Sequence, residues 1–155
     1  MTLNKHLLAA SIAATISIAS VLVAKNEGLK TSAYKDPIGI PTICYGHTST
    51  TYIGQVKTTA ECQELLAADL LVAISDVESR VKVPLTVDRR AALVSFAYNV
   101  GGTKFSSSTL LKKLNAGDAK GACAELSKWV YAGGVKLNGL VARRSEERAL
   151  CEVGL

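Results

Sequence analysis

The chain has 155 residues, enough for one domain with a core of its own, and its 18 Lys and Arg against 13 Asp and Glu give a formal charge of +5. That balance suits an anionic polymer. Only 5% of residues are aromatic and none alternate with basic ones, which argues against a nucleic-acid partner.

The first element is an apolar leader. Residues 1–24 contain no Asp or Glu, and the eighteen residues 7–24 carry no charge. As a helix they reach about 27 Å, close to the ~30 Å hydrocarbon core of a bilayer. Ala, Ser and Thr make up more than half of the run, with hydroxyls at Ser11, Thr15, Ser17 and Ser20. Each weakens insertion, so a bilayer should hold the segment only marginally. Lys5 and His6 form a flank expected on the cytoplasmic side, which puts residues 25–155 outside the inner membrane. Three readings stand: a secretory signal cleaved after Ala19, a stable anchor, and a weak anchor able to leave the membrane.

Residue 27 should be followed by a helical turn or two, giving way near Pro37. Gly39 and Pro41 break helix, 40–45 reads as extended, and 36–56 as a small β region of two or three strands. Thr58 with Glu61 makes a capping box that opens a helix running to Arg80. A second helix covers 88–100 and stops at Gly101-Gly102. Ser107 or Ser108 opens a short helix over 110–115. Asp118 caps another that runs to Tyr131 or Ala132 and ends at Gly133-Gly134. Asn138-Gly139 is a turn, and 142–151 is a charged last helix. The sum is a mainly helical α+β body with a small sheet beside a larger helical lobe and a cleft between them.

Two carboxyl groups and a hydroxyl, Glu27, Asp36 and Thr42, lie in EGLKTSAYKDPIGIPTICYGH (27–47). Cleavage of a glycosidic bond needs such a set: one carboxylic acid protonates the departing oxygen while a second group handles water or the cationic centre. The string resembles the active-site segment of phage-type lysozymes, glycoside hydrolase family 24. FAYNVG, STLLKKLNAGD, WVYAGG and GLVARRSEER further along resemble the rest of that family. The likeness covers roughly 27–151 and is strongest toward the membrane-tethered, signal-anchor-release endolysins of lambdoid phages.

The resemblance implies a lysozyme-like fold, cleavage of the β-1,4 bond of peptidoglycan, an inverting outcome and host lysis. It implies that Glu27 is the general acid, Asp36 the base or electrostatic partner, and Thr42 the third active-site residue, orienting a water. It also implies that an Arg of the last helix (Arg143, Arg144 or Arg148) supports Glu27, and that the leader is a tether left on release into the periplasm. Only Lys25 and Asn26 separate that tether from Glu27, so a leader held in lipid would keep Glu27 away from Asp36. No cofactor is called for, no metal is expected, and a monomer is anticipated. His47 reads as a satisfied structural residue, since two carboxylates already fill the acid and base roles.

Cys44, Cys62, Cys123 and Cys151 are an even set in an exported body, with three formal connectivities. Cys44 lies in the β region and Cys62 just inside the capping-box helix, while Cys123 and Cys151 both belong to the helical lobe, so the sequence-local pairs 44–62 and 123–151 are preferred. A zinc site from Cys44, His47 and Cys62 is the alternative, although it lacks paired C-x-x-C spacing. Two rival functions remain: a lytic transglycosylase with a single acid, and a non-catalytic wall-binding or membrane-interaction protein on a lysozyme fold.

Overall fold

Helix α3 (Val87–Val100) forms the axis on which the other long helices lie. It starts where the Thr86 hydroxyl accepts from the Arg89 amide at 3.2 Å and stops at Gly101, whose φ of 85° only glycine adopts readily. The computed structural model describes residues 2–155, with side chains from Ala9 onward; the expected cytoplasmic flank at Lys5 and His6 lies outside the described side chains.

Helix α1 (Thr2–Glu27) is one unbroken helix. Thr15, Ala19 and Val23, spaced four apart, form one fully buried stripe against α3 and α2 (Thr59–Glu78). The small β lobe follows: β1 (Lys30–Lys35) pairs antiparallel with β2 (Pro41–Cys44), Tyr34 opposite Thr42 and Lys35 opposite Pro41. The capping box at Thr58 and Glu61 is present and opens α2. Next come α4 (Gly102–Ser107), α5 (Thr109–Asn115), α6 (Ala119–Glu125), a 3-10 turn (Leu126–Lys128), the hairpin β3 (Tyr131–Ala132) and β4 (Val135–Lys136), and α7 (Asn138–Cys151). Phe96 of α3 stacks edge-on against Phe105 and Trp129, centring the core of the helical lobe.

Disulfides join Cys44 to Cys62 and Cys123 to Cys151. The first ties β2 to the first turn of α2; the second ties α6 to the end of α7. Both sulfurs of the contemplated zinc set are thereby bonded to each other and unavailable as thiolate ligands.

Four local expectations are corrected. No helical turn follows Glu27: Gly28, at φ 70°, ends α1 there, and 30–35 pairs as a strand. The helix after Asp118 ends at Glu125 rather than near Tyr131. Trp129, Val130 and Tyr131 favour extended structure, and Gly133 and Gly134, both at positive φ, form the two-residue turn of a hairpin. Asn138 and Gly139 lie in the first turn of α7, not in a separate turn. The short α4, begun by a glycine with no side-chain cap, has no expected counterpart.

Candidate active site

Glu27 is the last residue of α1, with its side chain 27% exposed. Arg143 of α7 donates from Nη1 to Glu27 Oε1 at 2.6 Å. Gly46, at φ 91°, lies alongside: a Cβ there would stand 3.7 Å from Glu27 Oε2 and 4.0 Å from the Tyr98 hydroxyl. Tyr98 of α3 donates to the Tyr45 carbonyl at 2.8 Å. Burial first, and then the charges of Asp69 and Glu27, push its phenol well above the ordinary range, so it is a neutral donor at any working pH.

Asp36 sits in the β1–β2 turn. Its Oδ1 accepts from the Ile38 amide at 3.0 Å and from the Ile40 amide at 2.8 Å, an Asx-type arrangement that fixes the carboxyl against its own turn. Thr42, buried in β2, donates from its hydroxyl to the Ile40 carbonyl at 3.0 Å. Asp36 and Thr42 thus grip the two polar groups of the same residue, Ile40. The hairpin carries them as a unit: Asp36 in its turn, Thr42 on β2, and the Gly46 end of the segment against Glu27.

His47 is buried, and its ring nitrogens are both occupied. Nδ1 lies 2.8 Å from Asp69 Oδ2, and Nε2 lies 2.8 Å from the Thr50 hydroxyl. It braces the β lobe against α2, as the structural reading expects. Gly46, His47, Ser49, Asp69 and Tyr98 line a hollow of about 210 Å³ beside Glu27. Among the described residues no group of three His, Cys, Asp or Glu side chains is arranged to hold a metal.

The sequence left open which Arg would reach Glu27. Arg143, 3% exposed, is the one; Arg144 turns instead to Glu147, Asn99 and the Trp129 carbonyl. Arg148 pairs with Glu152. Tyr98, Gly46 and Glu147 were not singled out from the sequence. The four-residue spacing of Arg143 and Glu147 was the available signal, but it is indistinguishable from a solvated ion pair until burial is known.

A helical lobe joined to a small β lobe, with a carboxyl group held by a buried Arg where the two meet, defines a lysozyme-fold protein. Comparison with known proteins agrees. The phage lysozyme family profile matches residues 24–147. A SAR-endolysin of Bacteriophage PS119 is 43% identical over 156 residues, covering 96% of this chain and 93% of that one. A SAR-endolysin of Escherichia phage Mu is 42% identical over 127 residues, covering 82% and 74%. Among solved structures, the muramidase domain of SpmX from Asticcacaulis excentricus superposes with a TM-score of 0.82 at 33% identity, covering 86% of this chain and 94% of that one. The endolysin of Escherichia coli O157:H7 phage FAHEc1 gives 0.80 at 32%, covering 89% and 92%. The chain belongs to the phage lysozyme family. It has the muramidase activity of that family, and its N-terminal helix includes a stretch, Ala9–Glu27, long and apolar enough to cross a membrane.

Proposed function

We propose that Glu27 protonates the departing oxygen of the β-1,4 bond between N-acetylmuramic acid and N-acetylglucosamine. Asp36 and Thr42 then hold the attacking water on the other face of the sugar. The observation that carries this reading is the Glu27 carboxyl docked on Arg143 at 2.6 Å, where α1 meets the segment bearing Asp36 and Thr42. A general acid must be kept in one place to deliver its proton, and the buried guanidinium supplies that. Asp36, with Oδ1 taken by two amides, keeps Oδ2 for a water. The Thr42 hydroxyl, donating to Ile40, can accept from the same water. Water-mediated displacement gives inversion.

Residues 1–24 serve as the anchor and 25–155 as the catalytic body. The N-terminus stays cytoplasmic and the body is exported to the periplasm. The segment Ala9–Glu27 is long and apolar enough to cross a bilayer, with a mean hydropathy of 1.4. In this structure the same helix lies against α3, and Glu27 is its last residue. The two placements compete: with α1 in lipid, Glu27 sits at the headgroups and cannot reach Arg143. Departure from the membrane therefore switches the enzyme on.

Turbidity loss of purified murein, measured with wild type and Glu27→Gln on membrane and soluble fractions, tests both parts. The wild-type soluble fraction should clear murein and Glu27→Gln should lose at least ~10³-fold of the rate. Full activity in Glu27→Gln would place the acid elsewhere, and a wild type that clears no murein would identify the chain as a wall binder. Full activity of the membrane-held form would remove the switch. An anhydro-sugar product would indicate the transglycosylase.

A further inference from the structure

Glu147 of α7 has no exposed surface, and its Oε1 is bonded to Arg143, the group that holds Glu27. Its Oε1 accepts from Arg143 Nε at 3.1 Å and from the Ser95 hydroxyl at 2.8 Å. Its Oε2 accepts from Arg144 Nη1. Each nitrogen of Arg143 is then engaged: Nε with Glu147, Nη2 with the Ser95 carbonyl at 3.3 Å and Nη1 with Glu27. Arg144 is pinned in turn by Asn99 and by the Trp129 carbonyl, and lies over the Phe96 ring at 4.9 Å.

We propose that Glu147 is a positioning residue for the acid catalyst, acting through Arg143. It clamps the Nε edge of Arg143 so that Nη1 points at Glu27, and it offsets the charge of the Arg143–Arg144 pair. The inference rests on the reading of Glu27 as the acid.

Two physical considerations support it. A buried carboxylate costs several kcal/mol to desolvate, and well-packed apolar side chains do as well or better for stability alone. Burial does push the Glu147 carboxyl up, with Arg144 and Arg143 opposing. The second consideration is charge. Two guanidiniums face two carboxylates, Glu147 and Glu27. Without Glu147, Glu27 would face two cations with no other anion between them, which favours its ionised form, whereas an acid catalyst must carry its proton into the reaction.

The remaining groups around this pair do not take over that role. From α3 come the uncharged Ser95 and Asn99 and the neutral Tyr98 phenol. From α2 comes Asp69, already on His47 of the β lobe. Lys25 of α1 pairs with Glu146 at the surface, and Asp36 is bonded to its own turn.

The test is steady-state kinetics of the full chain, freed from the membrane, on soluble glycan-strand fragments across about pH 4 to 9. Wild type, Glu147→Gln and Glu27→Gln are compared, with Tm measured for each. Glu147→Gln should lower kcat ~10-fold or more, leave KM within ~2-fold, and move the alkaline limb of the pH–rate profile down by ~0.5–1 unit. An alkaline limb that stays in place would make Glu147 merely structural and overturn the proposal, even if the variant is slow. Should Glu147→Gln not fold, Ser95→Ala, which removes one donor to Oε1, decides instead. A smaller displacement in the same direction supports the proposal, and none overturns it. An active Glu27→Gln would bring down the acid assignment itself. An inactive Glu27→Gln with an unmoved limb in Glu147→Gln brings down this inference alone.

Discussion

Arg90 of α3 donates from Nη1 to the hydroxyl of Ser11 on α1 at 2.6 Å, so a polar residue of the apolar helix hooks that helix onto the body. Thr15, one turn on, is fully buried on the same face and returns its hydroxyl proton to the Ser11 carbonyl at 2.9 Å. In the docked form the Ser11 hydroxyl is paired with the body and the Thr15 hydroxyl within its own helix. A buried or part-buried hydroxyl is tolerated when it is paired.

Ser11→Leu should act on both sides of that balance. It deepens insertion and removes the acceptor of Arg90, a charged hydrogen bond worth about 1.5–3 kcal/mol. The fraction of enzyme pelleting with membranes should rise and lysis should be delayed. An unchanged distribution between membrane and soluble fractions would show that Ser11 contributes to neither state.

The two disulfides close loops of 18 and 28 residues, each constraining the unfolded chain by about 3 kcal/mol. Removing either as a Cys→Ser pair should lower Tm by roughly 10 °C in a chain of this size. Activity should separate the two: Cys44 lies two residues from Gly46, which borders Glu27, whereas Cys123 and Cys151 hold α6 to α7. Loss of the Cys44–Cys62 bridge should therefore reduce kcat of the folded protein more than loss of the other.

Gly46 stands at φ 91°, where a Cβ would lie beside the Glu27 carboxyl. The 3.7 Å clearance would admit a methyl group, but the backbone angle is strained for any L side chain. Gly46→Ala should cost ~1–2 kcal/mol through that angle. Its relaxation would shift the turn bordering Glu27, so thermal melting and kcat should fall together. A stable variant with wild-type kcat would show that the segment adapts without disturbing the acid.

Stability in acid should depend on Glu125, 5% exposed, which accepts from Lys113 at 2.6 Å and Lys128 at 2.9 Å. The hydrogen bond from Lys113, then that from Lys128, holds its carboxyl below the ordinary glutamate value of 4.5. A carboxyl lowered on folding adds stability above its unfolded value and loses it as pH falls through the folded one. The difference in Tm between wild type and Glu125→Gln should be constant from neutral pH down to that ordinary value and close below it. A gap that persists in acid would mean that the amide substitution loses packing rather than charge.

Local signals were readable wherever they depend on neighbours in the chain. Thr58 and Glu61 cap a helix because they sit three apart, and Gly101 stops α3 because its own φ allows it. The same locality misled at Gly28, where a C-terminal cap lay hidden inside a recognised string. It misled again at 129–136, where Gly133-Gly134 was read as a helix stop and is the turn of a hairpin. The 27–47 string suggested the carboxyl pair through its resemblance to the phage-type lysozyme segment, since the spacing of Glu27 and Asp36 by itself is common.

What the amino-acid order determined by itself was the family, the weak apolar leader, the two-lobed α+β body and the short list of acid-bearing positions. The tertiary structure alone decided which face of α1 docks. A helix apolar around most of its circumference has no preferred side until Arg90 and the buried stripe at Thr15, Ala19 and Val23 select one. It also decided which of three arginines reaches Glu27 and which pair with other groups. Those choices are contacts between residues about a hundred positions apart, and neither periodicity nor propensity carries information over that distance.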